Sequence, residues 1–437
     1  ISPADWRALV KAARGSKIEL QASVLLEDGR WRECPAAEIY VAEDPIDPYV
    51  VYRLMNPVYR IVAQIDIRQR SLESFEETTL VSTESFGGCV NCHTFPLNDP
   101  DRMVLHMRSG TRNYGAGMLM VEPDRIHKIS TSTPRLPGLA AFTSWHPSRR
   151  LVAFSVNNVA QFFHAARNEV RDVYDLKSDL AVYDFESGRV TSCAAITRSD
   201  RLETFPCWAP DGRHLYYSSA PVLWEGEADD VSIDRYAEVR YRLERVPYEP
   251  ATGEWGRPEV VLDAEALGKS VTQPRISPDG RFLVTCMSDY STFPSFQPSA
   301  DLYLTDLASG ETRRMECSSE RSESWHSWSS NSRWLAFSSK RADGQFIRVY
   351  FAHVDQNGRS GKPFALPQES PAFYDSFIRL HQLPELVRGP VRAGRDRVAA
   401  AIRTGEWQGV TRPATGATPL VPPEPGRMPE PWSSAHR

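Results

Sequence analysis

Residues 205–219 read FPCWAPDGRHLYYSS: an aromatic segment, the turn Pro210-Asp211-Gly212-Arg213, then a β-forming run. Proline fixes φ, aspartate bonds its own backbone and glycine accepts positive φ, so such a turn joins two strands tightly. The arrangement recurs at 142–156 (FTSWHPSRRLVAFSV), 273–287 (QPRISPDGRFLVTCM) and 325–339 (WHSWSSNSRWLAFSS), with a fifth copy, FPLNDPDRMVLHMRS, at 95–109. Aligned without gaps on Pro100, Pro147, Pro210, Pro278 and Ser330, the position five residues earlier holds Phe95, Phe142, Phe205, Gln273 and Trp325. The turns stand 47, 63, 68 and 52 residues apart. A second hairpin follows, as in DLAVYDFESGRVTSC (179–193) and DLYLTDLASGETRRM (301–315), giving four strands per repeat. Strand quartets at this period predict a β-propeller.

The S-P-D-G-R turn resembles that of the TolB-like propeller family, over roughly residues 45 to 370. That resemblance implies an all-β fold. Five blades are legible, and YVVYRLM (49–55), IDIRQRSL (65–72) and FEETTLVS (75–82) supply a sixth, with seven blades as the alternative. Residues 1–42 read as a small α/β cap, with a helix in PADWRALVKAARG and a hairpin around Asp28-Gly29. The propeller is expected over 43–385. Residues 386–437 form a Pro/Arg-rich tail, with eight arginines against four acids and a helix at DRVAAAIRTG; from Pro413 onward it is read as extended.

The 437 residues are 41% hydrophobic and 10% aromatic, with a net charge of −5, which gives no electrostatic case for nucleic-acid binding. No apolar run is long enough to span a membrane. The sequence opens on Ile1, which fits a mature exported protein, periplasmic or extracellular, with a lipid anchor upstream as a further option. Seven cysteines are too few for a disulfide scaffold; Cys193 with Cys207 and Cys286 with Cys317 are conceivable pairs.

The most specific chemical signal is SFGGCVNCHTFPLNDPDR at 85–102, where Cys89, Cys92 and His93 have the spacing C-x-x-C-H. This resembles the haem-attachment motif of c-type cytochromes. Two thiols at this spacing reach the vinyl groups on one edge of a porphyrin, and the following imidazole takes the iron. Zinc would need two further clustered ligands, and there is no second C-x-x-C. A thioredoxin-type pair would need a following helix, which Pro96 and Asn98-Asp99-Pro100 forbid. One covalent haem c is therefore expected, in a loop at 85–97 on the upper face leading into the first legible blade. The loops 157–178, 220–240 and 288–300 are expected to wall it in. His93 is the proximal ligand. For the sixth position His164 is the first choice, with His326, His106, Met107 and Met103 as alternatives. Phe95, Phe142, Phe205, Trp208, Trp325 and Trp328 are read as blade-core residues, and Asp99, Asp211 and Asp279 as turn residues.

The expected function is that of a monohaem c-type cytochrome transferring electrons in an exported bacterial redox system. The alternatives are a haem enzyme subunit with an open iron, resembling nitrogen-cycle complexes, and a propeller scaffold in a respiratory or photosynthetic assembly. A carrier fits better than a catalyst, since the sequence shows no acid-base machinery. Expected partners are a redox protein or other cytochrome subunits, docking through the tail and the upper propeller face.

Overall fold

The repeats fold as four-stranded antiparallel meanders arranged around a channel in a computed structural model. It describes residues 1–408 except 58–63, 110–114, 132, 134–135, 137–139, 149, 164–170 and 225–232. Six blades result. The second is built from Gly88–Thr94, Met103–Ser109, Ala116–Val121 and Ile126–Ile129, and the third from Ala140–Trp145, Leu151–Phe163, Arg171–Asp184 and Arg189–Thr191. The inner strands of the fourth, fifth and sixth are Arg201–Trp208, Ser270–Ile276 and Glu323–Trp328.

The first blade is composite. Tyr49–Met55, Asp66–Ser71 and Glu77–Ser82 form its outer strands, and its inner strand, Leu380–Val387, comes from the other end of the chain. Asp47 reinforces this closure by accepting bonds from the amide and hydroxyl of Ser330 in the sixth blade at 2.7 and 2.6 Å. The apolar cores lie between blades, where branched and aromatic side chains from facing sheets interdigitate, as with Val51, Ile67, Val90, Met107 and Leu119 between the first two.

Every inner strand carries the same irregularity. Cys92, Phe142, Phe205, Gln273, Trp325 and Leu383 adopt φ between 45° and 53°, and at each the pairing with the second strand slips. Non-glycine residues pay strain in this left-handed region. A β-bulge re-aims side chains, and here it turns the strained residue and its successor toward the channel.

The chain divides differently from the sequence reading. Residues Ile1–Ile46 form one unit and Asp47–Arg437 the other. The first holds a helix, Pro3–Ala12, capped by Ser2, and the hairpin Ser23–Leu25 with Trp31–Glu33. In the second, the region read as a tail is docked as far as residue 408. Helix Arg395–Thr404 buries Val398 and Ile402 against the first two blades, and Trp407–Gln408 adds a fifth strand to the second blade. The apolar spacing of the helix and the Lys128 ammonium, which donates to the Ile402 carbonyl at 2.9 Å, hold it there. The extension expected beyond Pro413 lies outside the described residues.

Candidate functional site: the motif strand and the channel

Cys89, Cys92 and His93 do not lie in a loop. They belong to the inner strand Gly88–Thr94, paired with Met103–Ser109 through Cys89 with Arg108 and Asn91 with His106. The gapless alignment misplaced them. It matched Phe95 to Phe142, whereas the strained position of this blade is Cys92. The following turn is one residue longer than its counterparts: Thr94 pairs with Val104, ten residues on, while Ser144, Cys207, Arg275 and Ser327 pair nine residues on. Leu97 and Asn98 take up the excess in left-handed conformations. NDPDR thus resembles the repeat turn in composition but not in register.

The channel holds a narrow cavity of about 40 Å³, and Cys92 and His93 line it with Phe142, Phe205, Gln273 and Trp325. The Phe142 ring centroid stands 4.3 Å from Phe205 and 5.7 Å from Trp325. These three aromatics therefore belong to the channel and not to the blade cores, correcting the sequence reading. Phe95, Trp208 and Trp328 do pack in cores. Asp99, Asp211 and Asp279 accept backbone bonds from residues two further on, as turn residues do. All seven cysteines are unpaired thiols, so neither conceivable disulfide forms.

Within the motif the members differ. The Cys92 thiol is held above its ordinary pKa by burial, an effect that the nearby Arg53 charge opposes. Cys89 packs in the apolar wall between the first and second blades and is not on the channel. His93 is 2% exposed; its Nε2 donates to the Val51 carbonyl at 3.3 Å and its Nδ1 has no partner. Burial pushes its pKa down to about 3, so the ring is neutral, the form that binds metal. His326 occupies the equivalent place in the sixth blade, with Nε2 donating to Val284 at 2.9 Å and Nδ1 unpartnered. Burial and a lone nitrogen are thus a property of this position; the two thiols preceding His93 are what set it apart.

Part of the donor chemistry suits a c-type haem: a reduced thiol, Cys92, and a neutral imidazole with an unused lone pair, His93, share one aromatic-walled channel, while the second thiol of the motif, Cys89, lies in the wall and the cavity as it stands is smaller than a porphyrin. Among the described residues no group of three His, Cys, Asp or Glu side chains gathers to hold a bare metal ion. Of the other axial candidates, His326 shares the channel. His106 is buried on the second strand with both ring nitrogens unpartnered, and Met103 and Met107 lie in the wall between blades. His164 lies outside the described residues. The expected walls also differ: much of 157–178 is strand, continuing the third-blade hairpin.

The sequence reading missed two groups. Arg53 is buried, with its guanidinium bonded to the side-chain oxygens of Asn91 and Gln382. At the base of the long hairpin, Asp175 accepts from Asn157 at 2.8 Å, Tyr241 at 2.8 Å and Thr292 at 3.1 Å, and burial raises its pKa to about 6. Neither carries a local motif; both depend on strand register.

No family model and no curated protein matches this chain. Solved structures do. TolB from Acinetobacter baumannii is 12% identical with a TM-score of 0.49, covering 88% of this chain and 85% of that one. Hydrazine synthase from Kuenenia stuttgartiensis is 12% identical with a TM-score of 0.50, covering 79% of this chain and 48% of that longer one. What is shared is the propeller fold. No helix among the described residues is long and apolar enough to cross a membrane.

Proposed function

We propose that the protein is a monohaem c-type cytochrome that transfers electrons, with Cys89 and Cys92 forming the thioethers and His93 the proximal bond to iron. The observation that carries this reading is that the C-x-x-C-H run lies on an inner strand whose bulge brings Cys92 and the adjoining imidazole to the same channel. The bound haem supplies a one-electron couple. The chain supplies the rest: aromatic walls at Phe142, Phe205 and Trp325 that exclude water, and a neutral ring already desolvated. Attachment through Cys89 would require its thiol to leave the wall in which it packs. Among the described candidates, His326 lines the cavity that His93 lines and would be the residue able to supply a second imidazole. A single haem relays only between other centres, so a redox partner or further cytochrome subunit follows from the reading, as does an exported compartment in which thioethers are assembled.

The test is the intact mass and visible spectrum of protein made in a host that matures c-type cytochromes. One haem per chain, lost in Cys92→Ala, and a six-coordinate low-spin spectrum support the carrier. A high-spin iron that binds carbon monoxide points to catalysis at an open site. A chain without haem removes both.

A further inference from the structure

We propose that Arg53 sets the reduction potential of the haem, acting as a fixed positive charge beside the motif strand. The proposal rests on the haem reading. In each blade, one second-strand residue pairs with the inner-strand residue just before the bulge. These pairs are Arg53 with Gln382, His106 with Asn91, Ser155 with Ala141, Ser218 with Thr204, Cys286 with Thr272 and Ser338 with Ser324. Four blades place a small side chain there. The two exceptions, Arg53 and His106, flank the strand that carries the motif.

Arg53 is 9% exposed, its Nε has no partner, and its guanidinium donates to two neutral amides, Asn91 within the motif and Gln382 on the closing strand. Among the described residues no carboxylate pairs with it. A buried guanidinium without a counter-charge is costly, and amides satisfy its hydrogen bonds without cancelling its charge. The charge is close enough to couple to both motif thiols. The second cation near His93, Arg275, is by contrast neutralised by Glu385 at 2.9 Å. Oxidised haem carries one more positive charge than reduced haem, so an unneutralised cation favours the reduced form. Arg53 therefore acts as a positioning residue for charge, without contact with the reacting iron being required.

The experiment is a spectroelectrochemical titration of the holoprotein and its variants, with haem content measured independently as the pyridine haemochrome. Arg53→Gln is expected to lower the ratio of reduced to oxidised haem at fixed ambient potential by about tenfold, or about 59 mV for one electron. Arg53→Lys, which keeps the charge, restores it. Should the Arg53 variants fail to hold haem, Gln382→Glu decides the matter: it leaves the arginine in place and neutralises it, and is expected to lower the potential likewise. Full haem content with an unchanged potential in Gln382→Glu, or in Arg53→Gln, overturns the proposal. Absence of haem from the unaltered protein overturns the haem reading instead.

Discussion

His381 is fully buried between Tyr52 and Phe377, with ring centroids 5.2 and 5.1 Å away, and neither of its nitrogens has a partner. Burial lowers its pKa to about 3 against an ordinary value of 6.5. The folded ring is therefore neutral, and the unfolded chain binds the extra proton. Its contribution to stability is complete above pH about 6.5 and is lost as pH falls toward 3, at up to about 1.4 kcal/mol per pH unit. His381→Phe is expected to flatten the fall in urea-unfolding stability between pH 6 and 4 while changing stability at pH 7 by less than about 1.5 kcal/mol. At this scale Cys89, Cys92 and His93 could be singled out in the sequence, because their identities and spacing are local. Arg53 was not legible. Its meaning depends on Gln382, 329 residues away in the chain, and on the small residues at the five-fold repetition of its position, where only His106 is another exception.

Among the elements, the inner strands were recognisable from their turns, but their bulges were not, since strained residues as different as Cys92, Phe142 and Gln273 share no composition signal. Matching Pro100, which stands eight residues after Cys92, to turn residues that stand five after the strained residue in the other blades then put Phe95 in the place of Cys92. The third-blade hairpin was read as a loop because polar residues such as Asn157, Asp172 and Asp175 interrupt its alternation; the fold buries Asp172 and Asp175 and satisfies them, with Gln297 donating to Asp172 at 2.6 Å. The docking of the C-terminal strand rests on a close approach at Gly117. A Cβ there would stand 2.3 Å from the Ile129 carbonyl oxygen and 2.6 Å from the Trp407 ring. Gly117→Ala is expected to destabilise the protein by about 1–3 kcal/mol and to expose Trp407, which its fluorescence emission would register as a red shift.

For the molecule as a whole, the blade count was legible because each repeat presents its own turn and hairpin, and the three outer strands of the first blade could be read as an incomplete quartet. The closing strand was hidden, since Leu380–Val387 follows no repeat turn and reads LHQLPELV, with a proline one residue after the bulge at Leu383. A chain terminated before Leu380 leaves Tyr49–Met55 as an open edge and strips the apolar wall of Leu380 and Val387. Such a truncation is expected to abolish the sharp thermal transition and to produce aggregation, as checked by calorimetry and light scattering.

If the protein carries the proposed haem, that late-arriving strand sets an order of events for its attachment. The thiol of Cys89 is buried in the partition that Leu380 and Val387 help complete. On the proposed haem reading, a porphyrin would have to be stitched to the nascent or loosened polypeptide, before the closing strand completes the first blade. Haem added to the finished, empty ring should remain unattached, and the same haem offered during refolding should become covalent.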